Sequence, residues 1–304
     1  MPLPAPIVLF VYNRPDHTRQ TLDALAANPL ATQSSLFIYC DAAKNTDDSS
    51  SVEMVRDIAH KTSGFKKVTV IERDTNYGLS RNITDGVSEV CNREGRVIVL
   101  EDDIVTSPVF LEYMNLALEQ YKNNLNVWHI SGWNYPIDAN GYFDAFFWRV
   151  MNCWGWATWS DRWQHFNKDP QTLVKTWNKN KIRRFNLDGK HDFWRQVKGN
   201  YTGKINTWAI FWYATIFEQN GLCINPAQSF VTNIGLDGSG EQCEKTDQPV
   251  QPVMAQNVGK LPLVALESQL AVQIISKYME DNASPGFVKK TATRIQTLLR
   301  NTGN

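Results

Sequence analysis

The first hundred residues alternate between short apolar runs and helical stretches, and that alternation leaves few folds open. Pro6–Tyr12, Leu36–Cys40, Lys67–Glu72 and Arg96–Leu100 read as strands, while Asp16–Ala27, Ser49–Lys61 and Leu79–Asn92 read as the helices between them. In the first helix Thr18, Leu22, Leu25 and Ala26 share a side; Ser49, Ser50 or Ser51 can cap the second. Strands separated by helices imply an α/β protein with a doubly wound, mostly parallel sheet. Right-handed crossovers then gather the loops after each strand on one edge, where such sheets bind ligands. Those loops hold Asn13-Arg14-Pro15, Asp41, Arg73–Tyr77 and Glu101-Asp102-Asp103.

The last of these is the most pointed. Arg96-Val-Ile-Val-Leu-Glu-Asp-Asp103 passes from an apolar run straight into three carboxylates. Acids so crowded repel one another unless a cation sits among them. Hard oxygen ligands suit Mn²⁺ or Mg²⁺, which in turn hold substrate phosphates. One reading is a metal–diphosphate site in an enzyme that handles nucleotides; the other is a solvated acidic turn.

Charge excludes some partners. Lys plus Arg equals Asp plus Glu at 31 each, so no global field draws the chain to nucleic acid, and anion binding has to be local. The five cysteines (Cys40, Cys91, Cys153, Cys223, Cys243) are odd in number and lack a C-x-x-C pair, which argues for a reducing compartment over a disulfide framework or zinc site. Ile7–Val11 is too short to span a membrane and has no basic flank before it, so the expected location is cytoplasmic.

The middle of the chain differs. All 11 tryptophans lie between Trp128 and Trp212, with Trp154, Trp156, Trp159 and Trp163 in one run. Flat apolar faces among polar side chains suit a sugar; the alternative is that the rings fill a second core. Gly235-Leu-Asp-Gly-Ser-Gly240 reads as a mobile loop or a plain turn, residues 244–262 as an extended connector, and Leu266–Asp281 as a helix. Phe287–Arg300 is basic and acid-free, so it is either a helix lying on an anionic membrane at its inner face or a solvated terminal helix. Three segments follow: an alternating α/β half at 1–125 that ends with the acidic triplet's neighbourhood, an aromatic-rich half at 126–243, and a connector with C-terminal helices at 244–304.

Val8-Leu-Phe-Val-Tyr-Asn-Arg-Pro15, Asn76-Tyr-Gly-Leu-Ser-Arg-Asn-Ile83 and Val97-Ile-Val-Leu-Glu-Asp-Asp103, in that order, resemble family-2-like glycosyltransferases of the Rossmann-like GT-A fold. The Glu-Asp-Asp form, with Cys223-Ile-Asn-Pro-Ala-Gln-Ser229 before a Gly-rich loop, is similar to the N-acetylglucosaminyltransferase I type and its bacterial relatives. The resemblance implies a nucleotide-sugar donor, UDP first among the candidates, and Mn²⁺ or Mg²⁺ on Asp103. Glu101 and Asp102 would contact ribose or the donor sugar, Asp41 the base or a ribose hydroxyl, and Arg14, beside Asn13, the base or phosphate. Arg81 and Asn82 would add a cation and a helix dipole.

An inverting transfer also needs a base for the acceptor hydroxyl. The family places an Asp after a Trp in an aromatic segment; here Thr207-Trp-Ala-Ile-Phe-Trp212 has Ala209 there. Asp237 and Asp192 are the substitutes, with Glu218 and Glu241 behind them, and Gln242 stands where a His would complete a metal shell. Trp154, Trp156 and Trp208 are the acceptor-facing candidates, the acceptor being a glycan or lipid-linked glycan of surface polysaccharide synthesis. Two alternatives stay open: a sugar nucleotidyltransferase, disfavoured by Asn13-Arg14-Pro15 where a Gly-rich basic loop belongs, and a non-catalytic carbohydrate-binding protein.

Overall fold

The computed structural model describes residues 3–139, 141–237 and 255–282. Glu241, Gln242, most of the connector and the basic tail lie outside the described residues. The alternation of the first hundred residues is realised as β1 (Ile7–Val11), α1 (Pro15–Ala26), β2 (Ser35–Cys40), α2 (Ser49–Lys61), β3 (Lys67–Glu72), α3 (Gly78–Glu94) and β4 (Arg96–Glu101). Pro15 starts α1 because a first-turn residue needs no N–H partner and its φ is already helical. The serine cap expected for α2 is not used. Asp48 stands at the N-cap position, and its carboxylate turns away to accept from Tyr12 Oη at 2.8 Å and Asn13 Nδ2 at 2.7 Å.

The chain continues through β5 (Ile104–Thr106), α4 (Phe110–Tyr121), β6 (Val127–Ser131), β7 (Ala145–Trp148) and β8 (Trp156–Trp159). A helical layer follows, α5 (Ser160–Trp163), α6 (Pro170–Thr176), α7 (Lys179–Phe185), α8 (Trp194–Tyr201) and α9 (Ala209–Glu218), before β9 (Leu222–Pro226), β10 (Val231–Asn233) and α10 (Gln269–Asp281). One eight-stranded sheet, ordered β3-β2-β1-β4-β8-β6-β9-β7, joins the two halves; β5 and β10 form a separate antiparallel pair. β1 pairs in parallel with β2 and β4, β2 with β3, and β6 with β9, whereas β7 and β8 run antiparallel to their neighbours.

Alternation along the strands builds two cores. Ile7, Leu9 and Val11 face α1, α2 and α4; Val8 and Phe10 face α3 and the tryptophan-rich helical layer. Nine of the 11 tryptophans are buried, so the rings are mainly a second core, and only Trp133 and Trp154 remain partly accessible. The expectation of a broad sugar-stacking surface is corrected here: large rings bury more apolar area per residue than any other side chain, and the layer over the sheet consumes them.

Candidate active site

β4 is buried from Val97 to Leu100 and ends at half-buried Glu101, which pairs with Phe10 of β1 at the sheet edge; Asp102 and Asp103 follow in the turn before β5. Arg14, held between β1 and Pro15, reaches across to both. Its Nη2 donates to Asp102 Oδ1 and, at 2.9 Å, to Asp103 Oδ2. Thr21 Oγ1 on α1 fixes the turn by donating to the Asp102 carbonyl at 2.8 Å.

One guanidinium does not balance three acids. Burial first, then Asp103 and Asp102, pushes the Glu101 carboxyl up to about 8, although Arg14 pulls the other way. Burial raises Asp102 to about 6 against the opposing pull of Arg14. Arg14 Nη1 is buried and, among the described residues, has no hydrogen-bond partner. These groups line a cavity of about 380 Å³ with Asn13, Asp41 and Asn82.

The other expected donor residues divide. Asn13 is oriented by Asp48, a residue the sequence reading missed. Asp41 already accepts three backbone N–H groups, from Ala42, Tyr77 and Gly78, so it also ties the end of β2 to the start of α3. Asn82 lines the cavity and its Oδ1 accepts from Arg73 Nε at 3.0 Å. Arg81 does not reach the cavity: it is exposed, its guanidinium lies 3.9 Å over the Tyr77 ring, and it pairs with Asp85 at 3.3 Å. Its place on α3 explains the correction, since Asn82 takes the inward face and its neighbour points to solvent.

The segment after β10 closes against the triplet. Ile234 N donates to the Asp103 carbonyl at 2.9 Å, and His17 Nε2 lies 3.3 Å from both Ile234 O and Asp237 Oδ2. A Cβ at Gly235 would overlap Asp103 Oδ2 and come within 2.8 Å of Arg14 Nη1, so only glycine lets the backbone lie here. Asp237 is thereby brought to α1 beside the acidic turn. Asp192 is not: its Oδ1 accepts from Arg195 N and Asn186 Nδ2, so it serves the start of α8. Glu218 is tied to Trp177 Nε1 and Lys181.

Across the sheet edge lies a second, uncharged cavity. Two residues beyond the Val99↔Trp156 pair, Glu101 and Trp154 leave the sheet at the same edge. Gly155, at φ +58°, makes the reversal that sends Trp154 outward and Trp156 into the core. Trp133, Tyr135, Trp154, Gln196 and Tyr213 line a cleft of about 300 Å³ whose wall includes Ala209. Among the described residues no carboxylate lines it, so none of them compensates for Ala209 there. Trp156 and Trp208 are 1% and 3% exposed and stack on one another at 5.2 Å, which removes them as acceptor platforms.

Asn152, 9% exposed, lines the same cleft with an unpartnered Nδ2. Its backbone is pinned from below: Trp212 Nε1 donates to His129 Nδ1 at 3.2 Å, and His129 Nε2 donates to the Asn152 carbonyl at 3.0 Å. Burial pushes His129 down to about 3, so it stays neutral and holds that tautomer. The sequence reading missed Trp133 and Asn152. The strand-end rule applied to β6 points to Trp133; nothing local marks Asn152.

The triplet fits a divalent cation by donor chemistry and by its surplus of negative charge. Among the described residues no cluster of three or more His, Cys, Asp or Glu side chains is arranged to hold a metal alone. Such a site would therefore hold a cation by one or two carboxylates and leave the rest of the shell to substrate phosphate and water, a division Mg²⁺ commonly adopts.

No curated protein matches the chain. Among solved structures it is similar to the mannosyltransferase PcManGT from Pyrobaculum calidifontis in complex with GDP-Man and Mn²⁺, at 11% identity over 71% of each chain with a TM-score of 0.40, a likeness too slight to bear on substrate. The family model for glycosyl transferase family 2 matches residues 7–176, from β1 through α6. That match spans more than half of the chain and takes in Arg14, Glu101, Asp102 and Asp103, and the protein belongs to this family as a glycosyltransferase of GT-A fold.

Proposed function

We propose that this glycosyltransferase moves a sugar from a nucleoside-diphosphate sugar, UDP-linked by the resemblance of its motifs, to a hydroxyl of a glycan in surface polysaccharide synthesis, with inversion. The observation that carries the reading is the buried, unpartnered Arg14 Nη1 among three carboxylates, one strand away from an aromatic cleft. Arg14 donates to a diphosphate oxygen, Asn13 and Asn82 position the nucleoside, and Glu101 and Asp102 accept from donor hydroxyls. Asp103, with Glu101 beside it, would hold Mn²⁺ or Mg²⁺, which when bound neutralises charge on the departing diphosphate. Trp133 and Trp154 present rings to the acceptor sugar and Asn152 Nδ2 donates to one of its hydroxyls. Asp237, arriving on the segment after β10, takes the acceptor proton.

The test is sugar transfer and donor hydrolysis across a panel of UDP- and GDP-sugars, with Mn²⁺ or with chelator. Asp103→Asn lowers turnover by about a hundredfold or more, the usual cost of losing one electrostatic contact to a leaving group, and removes the response to Mn²⁺. Asp237→Asn lowers kcat by about 10²–10⁴ at unchanged donor KM, as loss of a general base does. Full activity in Asp103→Asn with an intact metal response overturns the assignment of the triplet; full activity in Asp237→Asn overturns that of the base.

A further inference from the structure

The net charge of the chain is zero, but its distribution is not even. Residues 168–204, spanning α6, α7 and α8, carry ten Lys and Arg against three Asp, a net of +7 that the rest of the molecule balances. Most of these cations are not neutralised locally. Among the described residues, only Lys181 and Lys190 of the ten form ion pairs, with Glu218 and Glu280. The three acids are engaged elsewhere: Asp169 caps α6, Asp192 serves α8, and Asp188 pairs with Arg149. An open groove of about 550 Å³ runs through this layer. Exposed Lys179, Arg183 and Lys198 flank it over half-buried Val174 and Ile182, with the stacked Trp177–Trp194 pair beneath.

We propose that this basic helical face docks the enzyme on a membrane surface bearing anionic phospholipid. A compact site for a soluble phosphate would bring free backbone N–H groups together with the cations. Here the helix starts are already satisfied: Asn178 caps α7 through Lys181 N, and Asn186 and Asp192 accept from Trp194 N and Arg195 N of α8. What remains is charge spread over three helices above apolar side chains, which matches a charged plane better than a point anion. The contact proposed is peripheral; no described helix is long and apolar enough to cross a bilayer. α8 is the wall between this groove and the aromatic cleft, with Lys198 on one side and Gln196 on the other. Docking through it holds the cleft beside the lipid surface.

The test is cosedimentation of the full chain with phosphatidylcholine vesicles, with and without about one-third phosphatidylglycerol. No donor or acceptor is needed, so the outcome is independent of the transferase assay. The expected result is binding to the anionic vesicles only, lost as salt rises from about 0.1 M toward 1 M and the screening length shortens. Each cation near such a surface contributes a factor of about five, so Lys179→Ala, Arg183→Ala and Lys198→Ala together weaken partitioning by about a hundredfold. An unchanged Tm in that variant keeps the loss from being one of folding. Equal binding to neutral vesicles, or unchanged partitioning of the triple variant, overturns the proposal. So does loss confined to a variant altered at Lys289, Lys290, Arg294 and Arg300, which would move the contact to the tail. Saturable binding of inorganic pyrophosphate that the triple variant abolishes makes the groove a small-anion site and equally overturns it.

Discussion

The acidic cavity and the aromatic cleft open on the same edge of the sheet, on neighbouring strands β4 and β8, yet they are assembled by opposite means. Among the described residues, the first concentrates more negative charge than Arg14 neutralises, and the second is lined by no carboxylate. Each contains one buried N–H donor without a partner, Arg14 Nη1 in the one and Asn152 Nδ2 in the other. A buried donor left unpaired costs free energy, and each of these two belongs to a residue that lines a cavity. Under the proposed function the difference separates two tasks: a strong field would suit a leaving diphosphate, and flat faces with sparse hydrogen bonding would suit a neutral sugar.

Core and cleft part most abruptly at Trp154-Gly155-Trp156. Trp156→Ala removes a ring from the core and costs about 3–5 kcal/mol of stability, read by denaturant unfolding. Trp154→Ala leaves stability much closer to native and raises acceptor KM by about tenfold, the order of one lost aromatic face, with donor KM unchanged. If the two variants destabilise equally, Trp154 belongs to the core and the cleft is not a binding surface.

The smallest effect is expected at Glu101. A carboxyl raised to about 8 binds its proton more tightly in the folded chain than in the unfolded one, so metal-free stability falls as pH rises from the ordinary carboxylate range through about 8. Glu101→Gln removes that slope. At a pH above 8 without metal the variant should melt above the native protein by about 2–4 °C, the shift that about 1 kcal/mol produces in a chain of this size. Below pH 5 the difference should vanish. Thermal melts across that range decide it; a native protein whose Tm does not fall with pH would show that the triplet carries no destabilising surplus of charge.

How much of this was legible beforehand follows from the range of the forces involved. The helix and strand limits of the first hundred residues lie within a residue or two of those read from periodicity, because side-chain spacing along one element is a local property. Arg14, Asn13, Asp41 and the triplet reach the cavity because each follows a strand. Arg81 missed it by one position on a helix. The partition of the tryptophans was hidden, since Trp156 is buried by its pairing with Val99 and its stacking on Trp208, contacts distant in sequence.

From the order of its residues alone, this chain was bound to form an alternating α/β sheet with carboxylates and an arginine on one edge, since both follow from repeat length and strand ends. Only the packed structure decided which two of the 11 tryptophans would line an open cleft, that Asp48 would steer Asn13, and that the Gly235 segment would bring Asp237 to His17 on α1. Those outcomes depend on which distant surfaces exclude water together, and no short window of sequence contains both partners.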